Sequence, residues 1–320
     1  MKTCLILGGS GYIGCNWARR LAERKRFDRI VIADLRQPTR PLPDGCEYVL
    51  CDVRQPLPFG DLKPEWLFNF AAVHREPGHA REEYFDTNIK GAKNTCAFAE
   101  RSGCRNILFT SSIAVYGALD KPTSEASRLY PSSPYGISKL CAELIHEGWQ
   151  RAGADRRLHI CRPGVIYGPG DPGNILRMIC AVRKGYFVFP ASRQLRKSYG
   201  YIEGLLDSFE FMMTRDERHL TYNYVERETE TLGTLVQIVQ SHLGKRNLTF
   251  TAPLPVLQAA AVVAQLVTRG RSPIHPVRVR KSASSTHVIP ETLSKMKFQF
   301  RYDFAASLND WLKKSPEDFR

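Results

Sequence analysis

The chain has 320 residues, 43% of them hydrophobic and 24% charged, which excludes a disordered polypeptide and suits one globular unit or two packed lobes. Lys and Arg outnumber Asp and Glu by 46 to 32, a formal charge of +14 that favours anionic partners. The basic residues are scattered, with no dense tract interleaved with aromatics, so a phosphate-bearing metabolite is favoured over nucleic acid. No apolar run approaches the ~20 residues needed to cross a bilayer. Met1-Lys2-Thr3-Cys4 leads directly into a short apolar strand, so a cytoplasmic protein without an integral membrane segment is expected. The nine cysteines, all between Cys4 and Cys180 and none in a CxxC pair, read as reduced thiols, not disulfides or a metal site.

Short apolar runs at Thr3 to Leu7, Arg29 to Ala33, Glu47 to Leu50, Trp66 to Phe70, Arg105 to Thr110 and Leu158 to Arg162 read as strands. Between them, Tyr12 to Arg24, Ala80 to Ser102 and Tyr135 to Gln150 carry apolar residues at helical spacing. This alternation predicts an α/β fold, a doubly wound parallel (Rossmann) sheet over residues 1–168. After Pro169 the rhythm breaks, and helical pieces at Asn174 to Lys184, Leu232 to Leu243, Val256 to Val267 and Phe304 to Lys313 predict a smaller, mainly helical substrate-capping lobe over 169–320, some segments of which return to the first domain. The most apolar stretch, Pro253 to Val267, is expected to pack against that lobe or a partner. Arg278 and Arg280 alternate with valines, a spacing that would point both one way from a strand, and are read first as surface residues.

Gly8-Gly9-Ser10-Gly11-Tyr12-Ile13-Gly14 follows the first strand and opens the first helix, where a pyrophosphate can approach bare backbone and the positive end of the helix. Asp34, about 20 residues beyond the loop, ends the second strand, where a carboxylate binds the ribose hydroxyls and repels a 2′-phosphate. NAD is therefore expected over NADP, with Arg36 partly offsetting that repulsion. Asp52 after the third strand is a candidate for the adenine amino group.

Ser112 lies past a strand ending at Thr110, and Tyr135 and Lys139 lie one helical turn apart, so their side chains share a face. A phenol of ordinary pKa about 10 needs a neighbouring cation to act as a base near neutrality. Lys139 is expected to supply that field and hold the nicotinamide ribose, while Ser112 shares a hydrogen bond with the substrate oxygen that Tyr135 deprotonates.

These residues, with Phe70-Ala71-Ala72, Asn88 and Gly91, Ser111 to Gly117, Arg162-Pro163 and Tyr167-Gly168-Pro169-Gly170, resemble the extended short-chain dehydrogenase/reductase family, in its nucleotide-sugar epimerase and reductase branch. The resemblance implies catalytic Ser112, Tyr135 and Lys139. With the loop, it implies a cofactor site of Gly8, Gly11, Tyr12, Ile13, Gly14, Asp34, Asp52, Val53, Ala71, Ala72, Val73, Asn88, Tyr135, Lys139, Arg162 and Pro163. Lys197 stands where the family often grips the substrate pyrophosphate with an arginine. Gly204 follows Glu203 where the family has Asp, and Val165 replaces an asparagine of the galactose epimerases. Ser112-Ile113-Ala114 stands where family dehydratases carry Thr-Asp-Glu, so dehydration is not expected.

Substrate contacts are expected from His74, Ser112, Asn174, Arg193 and Lys197, with Arg75 and Arg196 as neighbours; Asn174 is read first as a helix cap and His79 as structural. The chemistry expected is a nucleotide-sugar 4-epimerase using tightly held NAD, acting on a nucleotide-diphosphate sugar as a homodimer. A 4-ketoreductase with the same site is the alternative, ahead of a hydroxysteroid-type dehydrogenase or a non-catalytic dinucleotide sensor.

Overall fold

Strands β1 (Thr3–Leu7), β2 (Arg29–Asp34), β3 (Cys46–Leu50), β4 (Trp66–Asn69), β5 (Asn106–Thr110) and β6 (Arg157–Pro163) alternate with helices α1 (Tyr12–Glu23), α2 (Arg81–Ser102) and α3 (Pro134–Arg151) in a computed structural model that describes residues 1–320 except 40, 77, 172, 246–248, 270, 272–274 and 320. Side chains alternate across each strand, and both faces are apolar. Cys4 and Ile6, Ile30 and Ile32, and Trp66 and Phe68 meet Trp17 of α1 on one side. Leu5 and Leu7, Val31 and Ala33, and Ile107 and Phe109 meet Ala92 and Phe98 of α2 and Ala142 and Trp149 of α3 on the other. Two-sided burial is what parallel strands with crossover helices require.

The second half contains β7 (Val165–Tyr167), α4 (Asn174–Arg183), β8 (Val188–Pro190), β9 (Tyr199–Tyr201), α5 (Ile202–Met213), β10 (His219–Tyr224), α6 (Leu232–His242), β11 (Phe250–Ala252), α7 (Leu254–Val267), α8 (Pro276–Ser282), α9 (Glu291–Lys295) and α10 (Phe304–Lys314). The seven-stranded sheet runs β3-β2-β1-β4-β5-β6-β10, every pairing parallel. Its last strand is thus drawn from beyond residue 168, and α5 packs on α1. Arg20 of α1 is buried against α5, bonded to Asp207 at 2.8 Å and also paired with Glu203. That ion pair anchors the segment around Gly204, where a Cβ would collide with the Tyr224 hydroxyl.

Two expectations about local structure are corrected. Val277 to Arg280 form no strand: Pro276 starts α8 and the His275 Nδ1 accepts from the Val277 amide at 3.2 Å, a cap that favours helix over extended chain. Asn174 is the first residue of α4, not its cap; Gly173 holds the cap position without a side-chain bond.

Candidate active site

The turn between β1 and α1 is shaped by contact with the end of β4. Gly8 has φ +74, and a Cβ there would stand 2.5 Å from the Ala71 amide nitrogen, so only glycine lets the loop seat against Ala71. No side chain caps α1 after Gly11, and Ser10 Oγ is buried without a hydrogen-bond partner among the described residues. Asp34 accepts from the amides of Ser10 (3.1 Å) and Arg36 (3.2 Å), which fixes its carboxylate beside the loop. A bare helix start, an orphaned hydroxyl and an oriented acid fit a dinucleotide: amides of the Tyr12–Gly14 turn would hold its pyrophosphate and Asp34 its ribose.

Around this loop, Val53 is buried against Gly91 of α2 and its carbonyl accepts from Asn94 at 2.8 Å. Asn88, also buried, accepts from the Val73 amide (2.9 Å) and donates to the Val73 carbonyl (3.1 Å) and Ser138 Oγ (2.8 Å). It therefore ties the Ala71–Val73 segment to the helix that carries Tyr135. Asp52 is engaged by Arg54 in a bidentate pair, with contacts of 2.9 and 2.7 Å.

The side chains expected to be catalytic meet because α3 starts where it does. Ser133 Oγ accepts from the Gly136 amide at 3.2 Å and Pro134 occupies the first turn. A Cβ on Gly136 would lie 2.5 Å from the Ala114 carbonyl, so glycine allows that turn to press against the 3₁₀ turn at Ile113–Tyr116, which Ser112 caps by accepting from the Ala114 amide at 3.1 Å. The Ser112 hydroxyl is thereby brought close enough to Tyr135 to favour its ionisation. The Tyr84 ring lies against Tyr135, with centroids 6.4 Å apart.

Lys139, one turn further, is 2% exposed and its Nζ lies 4.4 Å from the centre of the Phe109 ring. Glu143 follows one turn on, but both of its oxygens are taken by Arg162, at 2.9 and 2.7 Å. Burial pushes Lys139 down to about 7, opposed by Glu143. Beneath it, His146 stacks on Phe109 at 4.3 Å. Since a carbonyl only accepts, His146 Nδ1 donates to Ala142 (2.7 Å), which leaves Nε2 to accept from Asn69 (3.3 Å).

The electrostatics differ from the expectation. Burial pushes Tyr135 up to about 12; the Ser112 hydrogen bond lowers it and the charge of Glu76 raises it. In the protein chain alone the phenol is thus held neutral and the ammonium destabilised, because desolvation is the largest influence on both. Glu76, in the segment that follows β4, is the acid whose charge acts on Tyr135, and it pairs with Lys281 of α8 at 2.7 Å.

The remaining expected residues have other partners. Arg162 also donates to the Tyr116 hydroxyl (3.0 Å), so its guanidinium braces α3 from within the core, and Pro163 ends β6 opposite Tyr224. Lys197 donates to the carbonyls of Lys281 (2.9 Å) and Ser284, at the end of α8, and burial lowers it to about 8. Arg193 donates to the Thr249 carbonyl (2.6 Å) and lies over Phe189. Asn174 is exposed, as is His74, while His79 pairs with Glu83 at 2.9 Å near the start of α2. Sequence reasoning missed Glu143 and the Asn69–His146 pair. The spacing of Glu143 from Lys139 was a usable signal; nothing local marked Arg162 as its partner.

A glycine loop, a strand-end acid and a Ser–Tyr–Lys set at the carboxyl edge of a seven-stranded parallel sheet define a nicotinamide-dependent enzyme. The chain belongs to the NAD dependent epimerase/dehydratase family, whose model matches residues 4–224, and the expected cofactor and fold are borne out with it. It is 27% identical, over 96% of both chains, to N-acetyl-alpha-D-glucosaminyl-diphospho-ditrans,octacis-undecaprenol 4-epimerase of Escherichia coli O157:H7. Among solved structures it matches MoeE5 in complex with UDP-glucose and NAD (TM-score 0.76, 20% identity, 99% of this chain and 100% of that one). It also matches UDP-galactose 4-epimerase (TM-score 0.72, 20% identity, 99% and 100%). At that identity the structures establish a shared fold.

Proposed function

We propose that the protein is an NAD-dependent 4-epimerase of a diphosphate-linked sugar, nucleotide sugars being the first expectation. The observation that carries this is the juxtaposition of Ser112 and Tyr135, one helical turn from buried Lys139, at the sheet edge that also bears the glycine loop. Tyr135 takes the proton of the C4 hydroxyl while Ser112 holds the same oxygen. NAD supplies the hydride acceptor, and later the donor, at that carbon. Lys139, poised near 7, can take up charge as the phenol ionises. Once the keto-sugar has turned over, bound NAD would supply hydride to its other face and Tyr135 would return the proton, so no net oxidation would result.

A lipid diphosphate in place of the nucleoside is a second reading, favoured by the full-length likeness to an enzyme named for such a substrate. Incubation of the protein and its retained NAD with UDP-N-acetylglucosamine, or with the polyprenyl-diphosphate sugar, should interconvert two sugars differing at C4 without consuming external cofactor. Loss of one NADH or NADPH per product would transfer the reading to a 4-ketoreductase. We also read the protein as a cytoplasmic homodimer without a nucleic-acid partner: all nine cysteines are free thiols, and exposed Leu144 on α3 offers an apolar contact. Sedimentation velocity checks the dimer.

A further inference from the structure

Helix α7 contains no charged residue and is apolar all round apart from Gln258 and Gln265, a composition that belongs in a core or a membrane. Only Ala261 is buried. Val256, Val263, Leu266 and Val267 are 59%, 56%, 73% and 78% exposed, and their spacing places them along one side of the helix. Just before α7, Phe250 and Val188 face each other in register on β11 and β8, also exposed. Among the described residues no helix is long and apolar enough to cross a membrane. The 14 residues of α7 span only about 21 Å, short of a hydrocarbon core of about 30 Å.

Along this stretch of the chain the charge has one sign. From Thr231 to Pro290 the chain has no Asp or Glu but seven Lys and Arg, equal to half of the +14 net charge. Arg269, Arg271, Arg278 and Arg280 are exposed and follow or sit beside the apolar face, on α8 or the segment leading to it. An apolar face beside a basic chain segment that carries no acid of its own is complementary to an anionic bilayer, into which the helix can lie flat.

We propose that the outer face of α7 docks on an anionic lipid bilayer, the helix lying in the interface plane. α8 packs against α7 and reaches the catalytic opening through the Lys281–Glu76 pair. Resting on the proposed epimerase, docking gives that opening access to a sugar diphosphate whose other half is a membrane-held lipid.

Flotation of the full NAD-loaded chain with vesicles tests the docking without any substrate. The wild type should float with phosphatidylcholine–phosphatidylglycerol vesicles, less with phosphatidylcholine alone and less at high salt. Val263→Asp with Leu266→Asp should lower binding by roughly tenfold or more, and Arg269→Glu with Arg271→Glu should remove the preference for the anionic vesicles. Hydrogen exchange on the unsubstituted protein should slow within residues 254–267 when anionic vesicles are added. Absence of wild-type flotation, no slowing of exchange, or an α7 variant that merely turns a dimer into a monomer would overturn the proposal, the last assigning this face to a second copy. For the substrate, Val263→Asp with Leu266→Asp should keep wild-type turnover of a nucleotide sugar but lose about tenfold on a polyprenyl-diphosphate sugar in vesicles. Equal loss on both would sever docking from access. A wild type that floats but epimerises neither sugar would sink the epimerase while leaving the docking intact.

Discussion

Helices α3 and α7 are both rich in apolar residues, yet their surroundings are opposite. α3 presses a face of Gly136, Lys139, Ala142, Glu143, His146 and Trp149 into the core, and burial there alters chemistry: the amine of Lys139 is pushed down and the phenol of Tyr135 up. α7 buries one alanine and turns Val256, Val262, Val263, Leu266 and Val267 outward. Apolar content therefore does not locate a helix in a fold. Around α3, polar groups were brought inside and given specific partners; around α7, apolar groups were left outside with a basic rim.

The sharpest test of the α3 side is Tyr135→Phe. The ring still packs on Tyr84, so NAD binding and melting temperature should hold while turnover falls by roughly 10²–10⁴-fold. Near-normal turnover would remove Tyr135 from the chemistry. Next comes the brace beneath it: Arg162→Met strands Glu143 as a buried charge and should cost about 3–5 kcal/mol in urea denaturation. A smaller loss would mean that water reaches the pair.

A third test uses pH on the cofactor-free protein. The folded pKa of Lys139 lies below its unfolded value, so the unfolded chain binds more protons between about 7 and the ordinary lysine pKa near 10.4. Its contribution to stability is therefore most unfavourable below that window and improves as pH rises through it. Lys139→Met should flatten that part of the profile, and an unchanged slope would show that the amine is solvated. The smallest effect belongs to α7, where Leu266→Ser should leave stability within about 0.5 kcal/mol, since a face already in water loses no packing. A larger loss would erase the contrast between the two helices.

Most strands of the sheet were legible because their apolar runs are short, buried on both faces and separated by turn residues. β10 was not, since His219-Leu220-Thr221-Tyr222-Asn223-Tyr224 mixes polar and apolar positions and gains its place by pairing with β6. The glycine loop, Asp34, Ser112, Tyr135 and Lys139 were legible from spacing along one strand-turn-helix unit or one helical turn. The partners of Arg162, Lys197 and Asp52 were not, although Asp52 and Arg54 are only two residues apart, because a charge alone does not say whether it meets a ligand or another side chain.

By itself the sequence determined a doubly wound α/β fold, a dinucleotide loop and the residue types of a tyrosine-based site, because each depends on periodicity or on neighbours within a turn. Only the tertiary structure decided that the charge of Glu76 bears on Tyr135, that Glu143 is claimed by Arg162, and that α7 faces outward. Those outcomes depend on burial and on contacts between residues far apart in the chain. Desolvation sets which charges survive, and the packing of distant elements sets which surfaces remain to meet a partner.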